Sequence, residues 1–113
     1  RIPQSAFRNS CQHGTTFRTS STEGIGRQLL RSATSVGANY RAACRARSSA
    51  DFVSKMGIVE EEADESMYWM ELLVDSGCTP AERVEALLRE ADELLAITVS
   101  SIKTARMTTA RAR

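Results

Sequence analysis

The sequence predicts an all-α, antiparallel up-and-down bundle, and three observations carry that prediction. Apolar residues recur at spacings of three and four through most of the chain. The breaks at Arg47-Ser48-Ser49 and Gly77-Cys78-Thr79-Pro80 carry helix stop and start chemistry. The composition is poor in aromatics, 5%, against 42% apolar residues, which suits an Ala/Leu-rich helical core better than a sandwich. With 113 residues the chain makes one domain with a single modest core.

The elements follow in order. Residues 1–22 contain eight Ser or Thr and no helical periodicity, so they read as a poorly ordered leader. Ser21 or Thr22 then offers an N-cap, and a first helix is expected over 23–46. On a wheel advancing about 100° per residue, Leu29, Leu30, Ala33, Val36, Gly37, Tyr40, Ala43 and Cys44 share one face. Gly37 costs about 1 kcal/mol of helix propensity relative to Ala, and close packing against a neighbour is one way to offset it.

Ser48 with Asp51 three places on is a weak capping box for a second helix over 49–76. Phe52, Met56, Val59, Ala63, Met67, Met70, Leu73 and Val74 form its apolar face, with the methionines as core filler. Gly77 suits the C′ position. Thr79-Pro80-Ala81-Glu82 then starts a third helix, fraying near Arg106, whose core residues are Val84, Leu87, Leu88, Ala91, Leu94, Leu95, Thr98 and Ile102. The expected organisation is a leader (1–22), a bundle (23–106) and a basic tail (107–113).

Charge is strongly segregated beneath a net of +1. Residues 1–47 carry +7, residues 48–100 carry −10, and the tail from Ser101 carries +4. Such blocks imply pairing between helices or with a charged partner. No apolar run approaches the roughly 20 residues that span a bilayer, so no membrane partner is expected. Cys11, Cys44 and Cys78 lack metal or redox spacing and read as buried or free thiols in a reducing compartment, hence a cytoplasmic protein.

The segments QLLRSATSVGANYRAACRARSSADFVSKMGIVEEEADESMYWMELL and ADELLAITVSSIKTAR resemble the bacterial four helix bundle protein family, also known as the 23S rRNA intervening-sequence proteins. The resemblance covers about residues 25–106. SATSVGANYRAA and ADESMYWMELL are its most specific parts. It implies an up-down bundle that assembles as a homopentamer. It also implies kinship with the accessory proteins of diversity-generating retroelements, basic pentamers that bind nucleic acid. The family's long amphipathic first helix has no clear counterpart here, since the leader takes its place. Its loss or degeneration would leave the remaining three helices with an exposed apolar seam.

Three constellations are candidates for function. Arg27, Arg31, Arg41 and Arg45 lie within about 80° on the first helix, extended by Arg47, and form a phosphate-tracking stripe. The bland alternative is a solvated face paired with acids of a neighbouring helix. Glu60, Asp64, Glu71 and Asp75 form an acidic stripe on the second helix. Carboxylate-bridged metal chemistry in bundles needs Glu-x-x-His pairs, and the sole histidine, His13, lies in the leader. Ile58, Trp69 and Leu72 make a second apolar ribbon, fit for an oligomer interface or for a widened core.

No phosphate loop, His-paired serine or activated cysteine appears, so neither catalysis nor a cofactor or small-molecule substrate is expected. The function expected is that of a non-catalytic, self-assembling bundle associated with RNA or DNA. The alternative is an assembly adaptor whose charge blocks meet protein partners.

Overall fold

Three long helices account for the computed structural model, which describes residues 15–112, with side chains from residue 21 onward. They are α1 (Thr15–Cys44), α2 (Ser49–Asp75) and α3 (Ala81–Ala112), and no strand occurs among the described residues. They run up, down and up, giving a rod with extents of 61 × 21 × 20 Å. The all-α bundle expected from the periodicity is the fold observed.

Local chemistry explains both connections. Ser48 has extended backbone dihedrals, φ −153° and ψ 162°, and its hydroxyl accepts from the Asp51 N–H at 3.1 Å. That satisfies one of the donors a helix start leaves unpaired. The second connection closes as a Schellman motif. Gly77 takes φ +77°, its N–H donates to Val74 O at 3.0 Å, and the Cys78 N–H donates to Leu73 O at 3.1 Å. Pro80 cannot continue a preceding helix, and α3 opens one residue after it.

Helix ends depart from the expectations in two places. α1 begins at Thr15, so Ser21 and Thr22 lie inside the helix rather than capping it. Part of the Ser/Thr-rich leader is therefore helical, since intrinsic propensity is a weak prior that context overrides. The rest of the leader, with Cys11 and His13, lies outside the described residues. α3 continues to Ala112 instead of fraying near Arg106, so the basic tail is an extension of that helix.

The core is centred on α2. Val59, Ala63, Met56 and Met70 are buried, and Met56 and Val59 cluster with Ala43 of α1 and Ile102 of α3. Ser66 of α2 meets Ser32 of α1 in a buried contact, Oγ to Oγ at 3.0 Å. These small side chains let the two helices approach closely, and the Ser32 hydroxyl in turn donates to Leu29 O at 3.1 Å.

α1 and α3 both pack on α2, and among the described residues no Cα of α1 lies within 8 Å of a Cα of α3. Among the described residues the arrangement is three corners of a four-helix bundle with the fourth corner unfilled. An apolar groove follows, walled by Leu29, Ala33 and Val36 of α1 and Leu87, Ala91 and Leu94 of α3, with Ala63 and Met70 at its floor. This corrects the expected core face of α1: Leu30, Ala33, Gly37, Tyr40 and Cys44 are exposed. Leu30 keeps 65% of its surface and Leu87 on α3 keeps 52%. Gly37 has no neighbour that an added Cβ would meet, so close packing does not explain it. Cys44 is an exposed free thiol, whereas Cys78 is disulfide-bonded, against the expectation of unpaired thiols.

Candidate nucleic-acid interface

The five arginines singled out in the sequence are all exposed, but they are not equivalent. Arg31 turns toward α2. Its guanidinium hydrogen-bonds Glu65 Oε1, lies 3.8 Å from Glu62 Oε2, and donates through Nε to Gln28 Oε1 at 3.1 Å. For this residue the bland alternative is the observed state. Its partners, however, are Glu62 and Glu65 rather than any acid of the Glu60/Asp64/Glu71/Asp75 stripe. Glu62 Oε2 is buried and has no hydrogen-bond partner, so the nearby Arg31 charge is what faces it.

Arg27, Arg41 and Arg45 make no ion pair within 4 Å among the described residues, so their guanidinium groups face solvent. Arg47, at the hinge, sits beside Asp51. There the Lys55 ammonium, 2.8 Å from both carboxylate oxygens, together with the Arg47 backbone N–H and charge, holds the Asp51 carboxyl below its usual range. That acid is answered mainly by Lys55, and the positive end of the stripe is not cancelled.

The apolar ribbon proposed as an interface is divided by the fold. Leu72 is buried at 7% exposure within the chain's own core. Trp69 is half-buried; its indole N–H donates to Glu65 Oε1 at 3.2 Å and its ring meets Tyr68 edge-on at 4.9 Å. One Glu65 oxygen thus ties Trp69 to Arg31 across the α1–α2 contact. Ile58 remains 39% exposed. Leu30, Tyr40 and Leu87, which the ribbon did not include, are exposed as well, and Leu87 lines the groove.

Among the described residues no group of three His, Cys, Asp or Glu side chains is placed to hold a metal ion. No helix there is long and apolar enough to cross a membrane. Glu71 and Asp75 of the acidic stripe line a shallow cleft with Glu85 beside the α2–α3 turn.

Comparison with known proteins adds two findings. A crystal structure of a protein of unknown function from the S23 ribosomal protein family of Bacteroides thetaiotaomicron VPI-5482 is 40% identical, with a TM-score of 0.68. The match covers 70% of this chain and 73% of that one. No curated protein matches. The family pattern described as 23S rRNA-intervening sequence protein matches residues 5–100, so it reaches well into the leader, where the resemblance had been placed from about residue 25. A match over most of the length, on the same helical architecture, identifies the chain as a member of the 23S rRNA-intervening sequence protein family.

Proposed function

We propose that this protein is a non-catalytic, self-assembling helical bundle that associates with nucleic acid through the arginines of α1 and of the α1–α2 hinge. The observation that carries the reading is that Arg27, Arg41 and Arg45 are exposed and make no ion pair within 4 Å among the described residues, while Arg31 alone joins α1 to α2. Unpaired guanidinium groups along a rigid helix suit phosphates, to which they bond in a bidentate manner. The family description, which names an rRNA intervening sequence, supports the same class of ligand. The exposed groove beside α1 supports assembly, because apolar area of this kind is ordinarily covered. A ring of five copies, as the family resemblance implies, would repeat the arginines around its circumference.

Salt dependence tests the reading. Each phosphate neutralised should contribute about −0.9 to the slope of log affinity against log salt for duplex, and about −0.7 for a single strand. Three or four arginines per protomer predict a clearly negative slope by fluorescence anisotropy with a labelled RNA. A flat slope would contradict the proposal. The adaptor reading rests on a different feature, the open groove, and predicts binding to a protein partner that survives high salt.

A further inference from the structure

We infer that the nucleic-acid contact is centred on one end of the rod, where the tail of α3 joins the α1–α2 hinge, rather than along the length of α1. The inference rests on the nucleic-acid reading above and assigns it a surface. Antiparallel folding turns three charge blocks that are distant in sequence into poles. Ser49, Ala50, Val53 and Ser54 of α2 share a cleft with Arg106, Thr109 and Ala110 of α3, so the hinge and the C-terminal turns of α3 lie together. Arg41, Arg45 and Arg47 approach this end from α1, and Lys103, Arg106 and Arg111 from α3.

None of these six cations makes an ion pair within 4 Å among the described residues. The one acid present, Asp51, is bridged by Lys55 at 2.8 Å. Seven cations against one acid give this end a net charge of +6. The remaining described side chains hold thirteen acids against Arg27, Arg31, Arg83 and Arg89, a net of −9. The start of α2 and the ends of α1 and α3 meet at the basic end, so their dipoles oppose one another and the side chains set the potential. Arg27 lies 18 residues up α1 from Arg45, about 27 Å away at 1.5 Å per residue, beside the acidic body of the rod.

A polyanion approaching this molecule meets repulsion along most of its length and attraction at one end. The ligand chemistry is the phosphodiester backbone: the end combines guanidinium groups with the hydroxyls of Ser49, Ser54 and Thr109, and Tyr40, beside Arg41, is the one large aromatic exposed near it among the described residues. Recognition there is of backbone, not sequence.

The test compares three variants by anisotropy with a labelled RNA duplex between about 50 and 200 mM salt. One variant is Arg45→Gln/Arg106→Gln/Arg111→Gln, at the basic end. The second is Arg89→Gln, and the third replaces the same three end residues by Lys. All these side chains are exposed, and far-UV circular dichroism and particle mass confirm that the variants fold alike. The end variant should lose at least tenfold in affinity and reduce the salt slope by about 2 to 3. Arg89→Gln, an exposed cation of the acidic body of the rod, should change affinity less than twofold, and the Lys variant should keep most of it. Wild-type affinity in the end variant, or an equal loss in Arg89→Gln alone, would overturn the end-on site while leaving nucleic-acid binding intact. Absence of salt-dependent binding by the unaltered protein would overturn both.

Discussion

At the scale of single residues, the contacts that hold this bundle in register are few and specific. The Asp51–Lys55 pair at the start of α2 is the clearest electrostatic one. Asp51's carboxyl is held below its usual range mainly by Lys55, so its charged form is favoured in the folded chain. A group of this kind contributes stability above the ordinary carboxylate pKa, and that contribution is lost as pH falls through the lowered value. Lys55→Ala should bring the Asp51 titration back toward the ordinary range, as read by NMR; an unchanged titration would contradict the assignment. Beside it, Ser48→Ala removes the hydroxyl that caps α2 and should cost about 1 kcal/mol in urea unfolding. The Ser48 cap and the Gly77 turn were both legible in the sequence because each is decided by residues within a few positions of one another. The partners of Arg31 were not. Which acid it meets depends on the register of α1 against α2, and that register is fixed at the buried Ser32–Ser66 contact, which no local pattern announces.

At the scale of elements, α1 shows how far a helical wheel can be trusted. Its periodicity located a helix and an apolar face, yet the buried stripe runs through Ser32 and Ala43, with Leu30 and Tyr40 left in solvent. The wheel records which side chains are apolar, whereas burial is decided by which neighbours exist. α1 has α2 on one side and an open corner on the other, so only part of its apolar arc is covered. Small residues contributed to the error: Ser32 is almost absent from a hydrophobicity pattern but is what allows the close approach. Gly37, on the uncovered arc, provides a prediction. With nothing near its missing Cβ, Gly37→Ala should stabilise the isolated chain by up to about 1 kcal/mol through helix propensity alone. Measured by thermal unfolding, a loss of stability would mean that another chain packs against this position. The start of α1 at Thr15 was hidden for a related reason: a Ser/Thr-rich segment carries little intrinsic helix signal.

At the scale of the whole molecule, two features govern what the protein does: an open apolar corner and a separation of charge along the rod. The charge blocks were plain in the sequence, but their arrangement in space was not, because only the antiparallel path brings Arg106 and Arg111 to the hinge that holds Arg47. Among the described residues an apolar groove lies between α1 and α3, where an exposed seam was expected. Leaving Leu29, Leu30, Leu87 and Leu94 uncovered would cost the chain apolar burial at roughly 25 cal/mol per Å², and we propose that a second copy covers this corner. The measurement that tests it most directly is the particle mass of the purified chain by size-exclusion chromatography with light scattering, with the 260/280 nm ratio recorded across the peak. The account predicts one discrete multimer, with nucleic acid co-eluting at low salt and stripped at high salt. A monodisperse monomer free of nucleic acid would contradict it.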